Sequence, residues 1–170
     1  NEIIGYNQFF FQRNNSNYQI DNTALASINP EDVFSGNIDN IDTIREYIRT
    51  LEPISSQIEG EYAKSLIETD DIQTMQQYFY SFWASRNPLS PQIEWENYYT
   101  QVKRVNASFT SQRIKGYKTD RGRVFLKYGA PDRIVQNHFE PGAYPYEIWH
   151  YYTLANQRNK KFVFMTSDIV

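Results

Sequence analysis

Apolar residues repeat at two different periods along this chain, and the change between them falls near Gly116. Upstream the spacing is helical. Ile41, Ile44, Ile48 and Leu51 recur at three- and four-residue steps, Asp39 or Asn40 can cap the start, and Pro53 breaks the pattern. A second helix is predicted over 59–68, with Gly60 weakening its first turn. A third starts from Thr69-Asp70-Asp71, whose acids suit the positive end of a helix dipole. It sets Ile72, Met75, Phe79 and Phe82 on one face and ends at Asn87-Pro88. The fourth has Ser90 as N-cap, Pro91 at the first helical position and Gly116 as its stop. Its stripe is Trp95, Tyr98, Val102, Val105 and Phe109. Such stripes are core, and Trp83 and Trp95 are expected to join the helices to each other.

Beyond Gly116 the elements shorten. Thr119 can cap a helix running to Lys127, with Gly129 as a left-handed C-terminal residue and Pro131 preventing continuation. Val124, Leu126 and Tyr128 also alternate as a strand would; caps at both ends favour the helix over 120–128. Three strand-like runs follow, at 132–138, 146–153 and 161–166. The middle one divides into Tyr146, Ile148, His150 and Tyr152 on one face and Glu147, Trp149 and Tyr151 on the other. Glu140-Pro141-Gly142-Ala143 and Asn156-Gln157-Arg158-Asn159 supply turns, and such short links imply an antiparallel meander.

The expected fold class is therefore α+β, N-terminal helices packed with a small C-terminal antiparallel β-meander of about three strands. Ahead of the helices, Phe9-Phe10-Phe11 and Tyr18-Gln19-Ile20 read either as short strands or as parts of an ordered arm. The organisation follows as an arm over 1–40, a helical segment over 41–74, and a domain of helices then sheet over 75–170, truncated at its C-terminus.

Composition narrows the function classes. Aromatic residues make up 16% of 170, with 14 Tyr and 11 Phe, so much of the core is aromatic and carries hydroxyls that need partners. A net charge of −3 argues against a nucleic-acid binder, which requires a basic face to displace counterions. No apolar run has the length of a membrane-spanning helix, so no membrane insertion by this stretch is expected. The absence of cysteine removes disulfides and thiolate metal sites. The chain starts at Asn1 without an initiator Met and stops just after an apolar run, which reads as a piece of a longer protein.

A family resemblance rests on motifs in fixed order. Gly116-Tyr117-Lys118-Thr119-Asp120 resembles the Gly-Trp-x-Thr-Asp signature of the GWxTD domain family, with Tyr117 in place of the Trp. The likeness continues through Arg121-Gly122-Arg123, Tyr128-Gly129-Ala130-Pro131-Asp132 and Glu147-Ile148-Trp149-His150-Tyr151. Upstream it takes in Phe82-Trp83, Arg86-Asn87-Pro88 and the helix from Tyr98 to Phe109, covering residues 75 to 168. What this resemblance implies is a module of bacterial cell-envelope proteins, periplasmic or outer-membrane associated, often lipid-anchored in the full-length protein. It carries no established reaction, and the partner it implies is a protein of the envelope.

The candidate sites divide the same way. Asp120, Arg121, Arg123, Asp132 and Glu147 could form an acid–base constellation, and a hydrolase-like enzyme using Asp120 and Glu147 is the third reading. No cysteine, no Gly-x-Ser-x-Gly elbow and no neighbouring His supplies a nucleophile, so no catalytic residue is assigned. The structural alternative has Asp120 at the helix start, Arg121 or Arg123 in a two-pronged pair with Glu147, and Gly122 letting the helix approach the sheet. His138 and His150 lie twelve positions apart on different strands and read as ordinary strand residues, and Asp70-Asp71 lacks the pattern of a calcium loop. No metal and no cofactor is expected. The loop bearing Glu140, Pro141, Gly142, Tyr144 and Pro145 is the candidate binding edge. A non-enzymatic protein-contact module is thus expected first, and a glycan- or peptide-binding module using exposed aromatics second.

Overall fold

The computed structural model of the chain describes residues 21–111, 113–137, 144–154 and 157–165. Among these, six α-helices precede a three-stranded sheet, so the fold is α+β. The chain divides at Val105 into two compact units.

The first unit is helical. α1 (Asn22–Ala26) starts at Asp21, whose carboxylate accepts from the Thr23 and Ala24 N–H groups. Two 3-10 turns follow, Pro30–Asp32 and Phe34–Asn37. α2 (Ile41–Thr50) is capped by Asn40, one of the two candidates in its sequence. α3 (Gln57–Leu66) begins two residues before the expected start. Ser56 and Glu59 form a reciprocal capping box, which satisfies two orphan N–H groups and makes Ser56 the cap. α4 (Ile72–Ala84) is capped by Asp71 through the Thr74 N–H. α5 (Pro91–Phe109) starts after Ser90 and runs across the division at Val105.

The core of this unit is aromatic. Phe79 meets Trp95 edge-on at 4.8 Å, Trp83 lies 5.4 Å from Tyr98, and Trp95 stacks on Tyr99 at 4.8 Å. Ile44, Ile48, Leu51 and Met75 fill the space between the rings. The buried hydroxyls find acceptors: Tyr98 donates to the Thr50 carbonyl and Tyr78 to that of Glu59. α4 also buries two glutamines that the apolar stripe does not mark. Gln76 Nε2 donates to the Ile38 carbonyl at 3.1 Å and Gln77 Nε2 to that of Ile28 at 2.8 Å, fastening the segment before α2.

The second unit holds the end of α5, the 3-10 turn Gly116–Lys118, α6 (Asp120–Tyr128) and the sheet. α5 ends at Phe109, seven residues before the glycine expected to stop it. The Thr110 hydroxyl instead accepts from the Gly116 N–H, closing a short return. α6 is a helix, with Thr119 Oγ1 accepting from the Gly122 N–H and Gly129 at φ 79° after its last turn. β1 (Arg133–Asn137), β2 (Tyr146–Leu154) and β3 (Gln157–Met165) form an antiparallel sheet in the order β1-β2-β3.

β3 starts at Gln157 rather than 161, because the ladder already pairs Leu154 with Gln157. Gln157, Arg158 and Asn159, expected in a turn, therefore lie in the strand. The ladder skips Tyr152 and Asn159, and Asn159 has a φ of 55°. The alternation of β2 changes phase there: Trp149 and Tyr151 are buried, then Leu154. The strand readings at 9–11 and 18–20 lie outside the described residues.

Candidate functional site

The signature residues from Gly116 to Asp132 build a corner in which two glycines are packing surfaces. A Cβ on Gly116 would stand 2.3 Å from the Val105 carbonyl oxygen, and one on Gly122 only 1.9 Å from the Gly116 oxygen. α6 therefore rests on the Gly116 turn, which rests on the last turns of α5. The sequence reading has Gly122 letting the helix approach the sheet. Its contact is instead with the turn and with Val105 Cγ1, because the glycine side of α6 faces α5. Tyr117 is buried beside it, and its N–H donates to Asn106 Oδ1 at 3.0 Å. Thr119 works twice: its hydroxyl donates to the Gly116 carbonyl at 2.7 Å while accepting from Gly122.

Against the sheet α6 presents Val124, Phe125 and Tyr128. They pack with Phe109, Phe162 and Phe164 around buried Trp149, Tyr151 and Leu154. Phe164 meets Trp149 edge-on at 5.0 Å, and Phe162 stacks on Tyr128 at 5.4 Å. Tyr151 donates its hydroxyl to the Gly129 carbonyl at 2.9 Å. Burial, followed by the charges of Asp132 and Tyr128, pushes the Tyr151 phenol above its ordinary range. Asp132 itself is exposed and accepts from the Tyr152 N–H, while Pro131 just before it is half-buried.

The charged residues of the corner divide: Asp120, Arg121 and Arg123 line one groove, while Asp132 accepts from the Tyr152 N–H. Asp120 is exposed in the first turn of α6, where a carboxylate meets the positive end of the dipole. Glu147 is the hub instead, accepting from Trp149 Nε1 and, at 2.9 Å, from Gln136 Nε2. Arg121 approaches it at 3.7 Å through Nη1 alone, a single-nitrogen contact where the sequence allowed a two-pronged one. That groove, open and about 660 Å³ in volume, lies between α6 and β3; Thr119 and Val124 on the helix and Phe162 to Met165 on the strand complete its lining.

The sheet's other face carries exposed apolar side chains among the described residues. Directly paired residues of an antiparallel ladder share a face, which sets Val135, Ile148 and Val163 in one row and Asn137, Tyr146 and Met165 in the next. Val135, Val163, Met165 and Tyr152 are exposed large side chains there. His150 lies in the same face between Arg133 and Lys161, with its ring edge-on to Tyr152 at 4.8 Å. Of the candidate binding loop, Tyr144 is exposed and Pro145 half-buried; Glu140, Pro141, Gly142 and also His138 lie outside the described residues.

The first unit holds an ion pair that sequence reasoning missed. Arg86 Nη1 and Nη2 donate to Glu59 Oε1 and Oε2 at 2.9 and 3.0 Å, with side-chain exposures of 14% and 9%. Arg86 also lies over the Phe82 ring at 3.4 Å and donates to the Phe82 and Ile54 carbonyls. Burial alone would raise the Glu59 carboxyl, but the hydrogen bonds and charge of Arg86 hold it below its ordinary value. Serine three residues before glutamate, in Ser56-Gln57-Ile58-Glu59, is the visible sign of the cap, though not of the arginine.

Among the described residues no cluster of three or more His, Asp or Glu is placed to hold a metal ion, and no helix is long and apolar enough to cross a membrane. No curated protein and no solved structure matches the chain. The family model described as GWxTD domain matches residues 8–169, a longer stretch than the motif likeness over 75–168. With its signature glycines, capping threonine and aromatic β2 in place, the chain belongs to the GWxTD domain family.

Proposed function

We propose that this chain is a non-enzymatic module of a bacterial cell-envelope protein that makes protein–protein contacts. The observation that carries the reading is the second face of the sheet, where Val135, Val163, Met165 and Tyr152 are exposed apolar side chains opposite the packed face. Apolar area left in water on a three-stranded sheet is stabilised by a covering partner. The corner lends catalysis no support, since Glu147 already accepts from Trp149 Nε1 and Gln136 Nε2, with Arg121 3.7 Å away, and Asp120 lies out in solvent. The envelope location rests on the family resemblance alone.

The test places a photocrosslinking residue at Val163 or at Met165 in the full-length protein in cells. A defined protein adduct at both, lost when Val135→Glu is added, is the expected result. Adducts only from control positions on α3, such as Glu61, overturn the reading. Fractionation of the same cells reads the location, and recovery in the cytosol would remove the envelope part.

Exposed Tyr144 and Tyr152 favour a second reading, a glycan- or peptide-binding face. Trp83 and Trp95 take no part in it, being buried in the helical core. Saturable binding of a soluble oligosaccharide, abolished by Tyr152→Ala, would put this reading first.

A further inference from the structure

β3 differs from the other strands in three respects, and together they describe a docking edge. It is nine residues long and ends the sheet, with no described strand on its far side. Its first half is basic: Arg158, Lys160 and Lys161 are exposed, make no ion pair among the described residues, and have no acid between 157 and 165. Its second half is apolar, with Val163 and Met165 exposed and Phe162 and Phe164 forming the floor of the groove beside α6. The other outer strand, β1, has five described residues, with Arg133 its one charge among them.

We infer that β3 is the docking edge for an extended segment of an acidic partner protein, which adds to the sheet as a fourth strand. This rests on the contact-module reading and gives it a partner chemistry. An edge strand offers a row of main-chain donors and acceptors, so the pairing itself is sequence-tolerant. Selectivity comes from the side chains. Carboxylates of the incoming segment lie beside Arg158, Lys160 and Lys161, while its apolar side chains lie beside Val163 and Met165 and enter the groove over Phe162 and Phe164. The segment is therefore acidic at one end and apolar at the other. Charge complementarity of this kind sets register and raises the association rate, and salt screens it.

Edge lysines also serve to keep sheets from pairing with one another, and the experiment separates that role from docking. The probe is a synthetic eight-residue peptide of three glutamates followed by alternating valine and threonine. Its control carries lysines in place of the glutamates. Each is titrated into the isotope-labelled chain at low ionic strength, and amide shifts and hydrogen exchange are followed residue by residue.

The acidic peptide is expected to shift and protect β3 amides, and to bind at least tenfold more tightly than its control. The K160E/K161E double substitution, at two exposed positions, should reverse that preference while the melting temperature holds. Equal binding of the two peptides, binding of neither, or shifts confined to β1 overturns the inference. So does protection of the outward β3 amides in the free chain, which would mean that another segment or a second copy already occupies the edge. If the peptides fail while Val163 still crosslinks to a protein, the docking edge falls and the contact module stands. If the peptide binds and the crosslinks vanish, the sheet-face reading falls instead.

Discussion

Each unit of this molecule ties two elements together with an arginine and a glutamate, and the two ties differ in nearly every physical respect. Arg86 grips Glu59 with both nitrogens, at 2.9 and 3.0 Å, inside the helical unit. Arg121 reaches Glu147 through one nitrogen at 3.7 Å, and its side chain is 39% exposed. The signature motif draws the eye to the second pair, yet the chemistry favours the first. A buried, two-pronged pair cannot lose one partner without leaving a desolvated charge, whereas water replaces an exposed arginine at little cost. The motif's strength lies elsewhere, in glycines that admit no side chain and in a hub carboxylate fed by Trp149 and Gln136.

The largest expected effect follows from the buried pair. Arg86→Ala or Glu59→Ala should cost about 3–5 kcal/mol, read as a loss of chemical-denaturation stability. The double change Arg86→Met with Glu59→Leu should recover much of that, because no charge is then left alone in the core. The same pair gives an acid limb. Folding lowers the Glu59 carboxyl below its ordinary 4.5, so the linked stability is present above that pH and is lost as pH falls toward the folded value. Glu59→Gln should flatten this limb, and an unchanged profile would deny the pair its weight.

Gly122→Ala comes next. The added methyl would lie 1.9 Å from a backbone oxygen, so α6 must move off the Gly116 turn, at a cost of about 1–3 kcal/mol or more. Thermal melting beside Gly60→Ala checks this, since a methyl added at Gly60, inside α3, would meet nothing within 4 Å. Gly60→Ala should be neutral or stabilising by up to about 1 kcal/mol. Equal effects at the two glycines would remove the packing argument for the signature.

Gly129→Ala should be no larger, about 1–3 kcal/mol. Space is open there and the resistance is in the backbone. Its φ of 79° with ψ −165° lies outside the left-handed helical region expected from the sequence, in a region where glycine alone is at ease. This position is legible from sequence, as are the caps at Asn40, Asp71 and Thr119, because each is a local rule satisfied within a few residues. Such caps also decide the helix over 120–128 against an equally good strand alternation. What stays hidden is set by distance along the chain. Glu59 and Arg86 are 27 positions apart, and Gln76 reaches back 38 residues to Ile38; no periodicity records either. The exposed apolar sheet face is half visible, since the alternation in β2 separates its two faces, but nothing local says which face α6 covers. The early start of β3 is hidden for a different reason. Gln157, Arg158 and Asn159 have turn-like side chains, and the Leu154–Gln157 pairing overrides them.

The smallest effect is expected at Arg121, and it decides whether the signature corner is held by its charges at all. Arg121→Ala should cost less than about 1 kcal/mol, because the contact is long, single and half in solvent. Glu147→Ala should cost more, about 1–3 kcal/mol, since Trp149 Nε1 then loses its acceptor at a position that is nearly fully buried. A double-mutant cycle isolates the ion pair from the rest of the hub, and its coupling energy should stay under about 1 kcal/mol. The same cycle on Arg86 and Glu59 should return a coupling several times larger. Two cycles of equal size would break the contrast between the units, and would restore the charged corner as the main clamp of the sheet-bearing half.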